Sequence, residues 1–113
     1  MKRSNVPDSS NIKDCIKKTL NESNPLVIYD WMLDAKLRQA DLLVFAAIFD
    51  QLRHEPRTPQ YVKVVDLAKR IHYTHSAILH CIDRLVAQGF LYVRGTQHMK
   101  VYSLYPFDTL DLK

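Results

Sequence analysis

Glycine is nearly absent from this 113-residue chain, which has only Gly89 and Gly95. That excludes the glycine-rich loops that cradle phosphates in nucleotide-binding enzymes, since these need several glycines for close backbone approach. Cysteine is equally scarce. Cys15 and Cys81 form neither a CxxC pair nor a zinc spacing. Both are expected to be free thiols, because nothing in the sequence indicates the oxidising compartment that a disulfide needs. No apolar run approaches the roughly 20 residues of a bilayer span, and Met1–Ser10 lacks a hydrophobic signal region. No membrane partner is expected, and the cytoplasm is the expected location. No nucleophile–base–acid set or pair of carboxylates stands in a recognisable context, so neither an enzyme nor a cofactor is predicted.

Acidic residues are also missing where basic ones gather. Between Gln60 and Lys100 stand six bases (Lys63, Lys69, Arg70, Arg84, Arg94 and Lys100) against two acids, Asp66 and Asp83. The excess of four equals the net charge of the whole chain, +4. A basic face of this kind is the electrostatic footprint of a nucleic-acid binder.

The same stretch has the clearest periodicity. Val64, Leu67, Ala68 and Ile71 have helical spacing, with Lys69 and Arg70 outward. His72, Tyr73 and Thr74 then separate this helix from a second, in which Ile78, Cys81, Ile82 and Leu85 form a half-buried stripe. Thr74 is the predicted N-cap, and Gly89 the predicted stop, being free to adopt a left-handed conformation. Cys81 falls on the inward stripe and reads as a small buried hydrophobe. Leu91–Arg94 and Met99–Leu104 are predicted strands around a turn at Gly95–His98, with Pro106 closing the second. Tyr61–Lys63 reads as a further short strand.

Residues 40–53, Ala40 to Arg53, form the plainest helix, with almost no polar side. Such a helix must be buried on more than one face. One face should cover the two closely linked helices. The other needs cover from the Trp31 region and a short helix at Asn11–Leu20, or from a second subunit. A homodimer through the N-terminal helix and the Ala40–Arg53 helix is therefore expected. Ser10 or Asn11 should cap the short helix, whose Ile12, Cys15, Ile16 and Leu20 need something to pack on. Leu26–Asp34 suggests a strand running into one helical turn. Phe107, Leu110 and Leu112 make the last residues too apolar for a pure tail.

Asp66-Leu67-Ala68, Ile82-Asp83-Arg84-Leu85-Val86 and Gly89-Phe90-Leu91, in this order and spacing, resemble the winged helix-turn-helix superfamily. The likeness is to bacterial regulators of the MarR and GntR type and to small winged-helix proteins of phages and other mobile elements. It covers about two thirds of the chain, from Leu37 and the helix after it. It implies a mainly α fold with a small antiparallel β-sheet: a winged helix-turn-helix at residues 25–113, preceded at 1–24 by a flexible tail and short N-terminal helix. It further implies double-stranded DNA binding by a transcriptional regulator or mobile-element accessory protein. The alternative is a winged-helix protein–protein interaction module in a replication or conjugation complex, with a protein partner.

On the DNA-binding reading, Thr74, His75 and Ser76 begin the second helix and face a groove or a phosphate. His80 and Arg84 follow on its exposed side. Arg94, His98 and Lys100 surround the wing turn, and Lys69 and Arg70 clamp the flanking strand. Arg84 could instead pair with Asp83, Asp66 or a carbonyl. Arg, Asn and Gln, the bidentate base readers, are absent from the first two turns of the second helix, so affinity is expected mainly from phosphates. His72 and His75 form an H-x-x-H pair near His80 and Cys81. These side chains should diverge, so no metal is expected. Tyr29, Trp31, Tyr92, Tyr102 and Tyr105 are read as core rather than as a ligand pocket.

Overall fold

Gln39–Leu52 forms α3, the helix around which the other elements pack in this computed structural model, which describes residues 9–21, 25–96 and 98–109. The remaining helices are α1 (Ser9–Asn21), α2 (Asp30–Asp34), α4 (Val64–Ile71) and α5 (His75–Ala87). Strands β1 (Tyr92–Gly95) and β2 (Lys100–Ser103) pair antiparallel, and a 3-10 turn at Phe107–Thr109 follows. The chain is thus mainly helical with a small two-stranded sheet. Among the described residues no helix is long and apolar enough to cross a membrane.

Val44, Phe45, Ala46, Ala47, Ile48 and Leu52 bury α3 against Ile78, Cys81, Ile82 and Leu85 of α5 and Leu67 of α4. At such a position truncating Ile48 to alanine would cost about 2–5 kcal/mol, from lost transfer energy and the cavity left behind. The other side of α3 is covered within the chain. Leu26 and Ile28 pack on the core from an extended segment that runs into α2, whose Met32 is fully buried. Trp31 meets Phe45 and Phe49 edge-on, with ring centroids 5.9 and 5.5 Å apart, and Tyr29 meets Phe49 at 5.5 Å. Quadrupoles favour this arrangement. Both faces of α3 are thus covered within the chain.

The short N-terminal helix differs from expectation in two ways. It begins at Ser9, so it takes in Ser10 and Asn11, the expected caps. Its apolar edge is also left in the open: Ile12, Cys15, Ile16 and Leu20 are all exposed. Leu26 and Ile28 of the extended segment before α2 pack on the core instead. The expected tail falls partly at residues 1–8, outside the described residues, as do Leu110 and Leu112.

Local chemistry explains the two helix boundaries that matter most. His72 takes a left-handed conformation (φ 60°) and ends α4, a role histidine fills more readily than bulky residues do. Thr74 then caps α5, its Oγ1 accepting from the Ala77 N–H at 3.1 Å. At the far end Gly89 (φ +84°) donates to the Val86 carbonyl, and Phe90 to the Leu85 carbonyl at 2.9 Å. This paired termination satisfies two orphan carbonyls. It sends Phe90 against Phe45 and buries Leu91 at the start of the hairpin.

In the hairpin, Tyr92 faces Ser103, Val93 faces Tyr102, Arg94 faces Val101 and Gly95 faces Lys100. The expected strand at Tyr61–Lys63 is instead a single bridge one residue earlier. Gln60 and Tyr102 exchange both backbone hydrogen bonds, at 2.9 and 2.8 Å. The pairing stops after this one residue, and α4 begins at Val64.

Candidate nucleic-acid interface

The basic side chains around α4 and α5 fall into two sets. Arg70 and Arg84 belong to the body of the protein. Arg84 reaches across to α3, where its Nε and Nη2 meet the Asp41 carboxylate at 2.8–3.1 Å, a bidentate pair. Asp41 is 1% exposed. Its carboxyl is held below the usual carboxylate range chiefly by the Arg84 hydrogen bonds; burial works the other way, and the Cys81 thiol also helps to lower it. Arg84 is accordingly pushed further towards its charged form by Asp41. The guanidinium expected at a DNA phosphate is thus engaged within the protein, and its partner is neither Asp83 nor Asp66. A buried carboxylate without its guanidinium would be strongly destabilising.

Arg70 is similarly engaged. Its Nη1 meets Asp50 of α3 at 3.0 Å, and its Nη2 donates to the Pro25 carbonyl at 3.2 Å. Burial raises the Asp50 carboxyl, but hydrogen bonds from Arg70 and Arg53 outweigh it, so the net shift is downward. The clamp on a flanking DNA strand expected of Arg70 is thus replaced by a tie between α4, α3 and the segment before α2. Thr74 is committed to its cap.

The other set surrounds a groove of about 580 Å³ between the start of α4, the first turns of α5 and the hairpin. His75 comes from α5, His98 and Lys100 from the hairpin, and Lys63 from the residue before α4. All four are exposed, and among the described residues none has a carboxylate partner and no carboxylate lines the groove. On α5, His75 and Leu79 lie one turn apart on the groove side, whereas Ser76, His80 and Asp83 share the next exposed stripe. Lys69 is exposed one turn beyond Val65, which lines the groove. The N–H groups of His75 and Ser76 stand at the start of α5, the positive end of its dipole.

Strand alternation separates the two bases of the hairpin strands. Arg94 pairs across from Val101, so it projects from the hairpin face opposite Lys100 and Tyr102. There its guanidinium lies over the Phe107 ring, 5.7 Å from the centroid. Of the ten residues expected at the interface, His75, His98 and Lys100 share the groove. Lys69, Ser76 and His80 lie exposed beside it, while Thr74, Arg70, Arg84 and Arg94 are directed elsewhere.

Seven of the ten residues lining the groove were absent from the expected set, among them Lys63, Tyr61, Leu79 and Tyr102. Tyr61 is 54% and Leu79 40% exposed. Tyr102 forms the buried wall, its phenol pushed up by burial and then by the nearby charge of Asp83 and by Tyr61. Of the aromatic residues read as core, only Tyr102 is buried. Tyr92 is half-buried, and Tyr29, Trp31 and Tyr105 are more exposed still. Among the described residues no three His, Cys, Asp or Glu side chains converge as a metal site requires.

Comparison with known proteins found no match: no family model, no curated protein and no solved structure matches the chain.

Proposed function

We propose that the chain is a winged-helix protein that binds double-stranded DNA, acting as a transcriptional regulator or as an accessory protein of a mobile element. The observation that carries this reading is the convergence of Lys63, His75, His98 and Lys100, from three separate stretches of chain, on one groove lined by no described carboxylate. Lys63 and Lys100 stand there without a carboxylate partner among the described residues, and a polyanion relieves their mutual repulsion. The order α3, α4, α5, β1, β2, with α5 and the hairpin flanking the groove, also supports a winged-helix architecture.

Contacts would be to phosphates above all. Lys63 and Lys100 supply permanent charge, and the N–H groups opening α5 supply neutral donors. The stripe of Ser76, His80 and Asp83 offers no bidentate base reader. A mobility-shift titration on random duplex at low salt tests the reading: the wild type should bind, and affinity should fall steeply as salt rises. No shift from folded protein would falsify it.

The second reading, a protein-interaction module, is favoured by one observation: Trp31 and Leu33 are exposed on α2, away from the groove residues in sequence. Pull-down of a partner lost on Leu33→Asp, without any DNA shift, would favour it. For a homodimer the α1 edge remains the candidate surface, and light scattering that gives a monomer at high concentration would remove it.

A further inference from the structure

Phosphate contacts do not account for the floor of the groove. Tyr61, Val65 and Leu79 present exposed apolar surface between the cations, and Tyr102 closes the back. A phosphate gains nothing from such a surface. Nor does a paired base, whose flat faces are covered by its neighbours in the stack and which offers only an edge. An unpaired nucleotide offers both a bare aromatic face and a phosphate.

Tyr61 is built to receive that face. Its backbone is anchored from two sides: Gln51 of α3 donates to its carbonyl at 3.0 Å, and its neighbour Gln60 is bridged to Tyr102. The residue as a whole is 54% exposed. A fixed backbone under an open ring is what a stacking platform needs, because little conformational freedom is lost on binding. The groove volume, about 580 Å³, falls in the range of small-molecule sites and leaves room for a nucleotide unit.

We infer that the groove holds one unpaired nucleotide at the end or fork of a duplex, its base on Tyr61 and the apolar floor, its phosphate on the side of Lys63 and Lys100. The inference rests on the DNA-binding reading and narrows its ligand to duplex carrying a single-stranded tail. The duplex then lies along the N-terminus of α5 and the wing, and the tail enters between α4 and the hairpin.

Fluorescence anisotropy with the full chain tests this on a blunt duplex, the same duplex with a tail of about six nucleotides, and the tail alone. The tailed duplex should bind about tenfold more tightly than the blunt one, as expected for stacking of one base. Tyr61→Ala should erase that preference and leave blunt-duplex affinity within about twofold, whereas Tyr61→Phe, which keeps the ring, should retain it. Leu79→Ala, at a second exposed position, should weaken the preference in the same direction. Circular dichroism verifies that each variant is folded. Equal wild-type affinity for blunt and tailed duplex overturns the inference and leaves the DNA-binding reading intact. So does a full preference in folded Tyr61→Ala. A single strand that binds as tightly as the tailed duplex overturns the placement at a junction. Failure to bind any of the three overturns the DNA-binding reading itself.

Discussion

Arg84 and Lys100 carry the same charge within one short stretch of sequence, yet they serve opposite ends of the physics. Arg84 spends its charge on Asp41, a carboxylate with 1% exposure, and joins α5 to α3. Lys100 stands in the open on β2 with no carboxylate partner among the described residues. The same contrast separates Arg70, tied to Asp50 and Pro25, from Lys63 at the groove. The arginines engage planar acceptors with geometry that a lysine does not match, while the lysines keep mobile, hydrated charge. A count of bases along α4, α5 and the hairpin therefore overstates the charge available to a ligand. What remains is concentrated on one side.

The largest effect should follow from breaking the arginine side. Arg84→Ala leaves the Asp41 carboxylate buried without its partner, and Tm should drop by roughly 10 °C or more in a thermal melt. If stability were unchanged and DNA affinity collapsed instead, the division between the two sets would be wrong. The same pair sets an acid limit. The Asp41 carboxyl lies below its ordinary value in the folded state, so its contribution is present above the unfolded carboxylate value and is lost as pH falls through the lowered one. Urea midpoints should hold down to about pH 4 and then decline. The decline should be shallower in Asp41→Asn.

The lysine side should respond in the opposite way. Lys63→Ala and Lys100→Ala should leave the melt unchanged, weaken duplex binding severalfold, and each reduce the slope of log affinity against log salt by about one. Thr74 sharpens the contrast at a smaller scale. Thr74→Ala should cost about 1 kcal/mol by loss of the cap, with Thr74→Ser restoring it, whereas a DNA-contact role would show in affinity instead. The smallest effect is assigned to Arg94→Ala. On the hairpin face opposite Lys100, it should change duplex affinity by less than about twofold.

Much of the backbone was legible because it depends on neighbours three or four positions apart. The inward stripe of Ile78, Cys81, Ile82 and Leu85, the Thr74 cap and the Gly89 stop are all local, and each is in place. The site was less legible because it depends on contacts between distant residues. The partner of Arg84 lies forty-three positions away. One signal pointed to it: Asp41 is a lone carboxylate at the head of an otherwise apolar run, and a buried acid there demands a cation. Lys63 and Tyr61 were expected only as part of a short strand, and their place at the groove depends on how α4 packs beside the hairpin. The separation of Arg94 from Lys100 follows from alternation once the hairpin register is known, and sequence alone does not supply that register.

The two thiols give the molecule a reporter of its own. Cys15 is exposed on α1, whereas Cys81 is buried between α5 and α3, its thiol pushed up by burial and by Asp41. A thiol reagent should therefore modify one site at once and reach the other only when the helices part. The rate of that second reaction would clock the opening of the interior directly, with no dye, tryptophan or engineered label added.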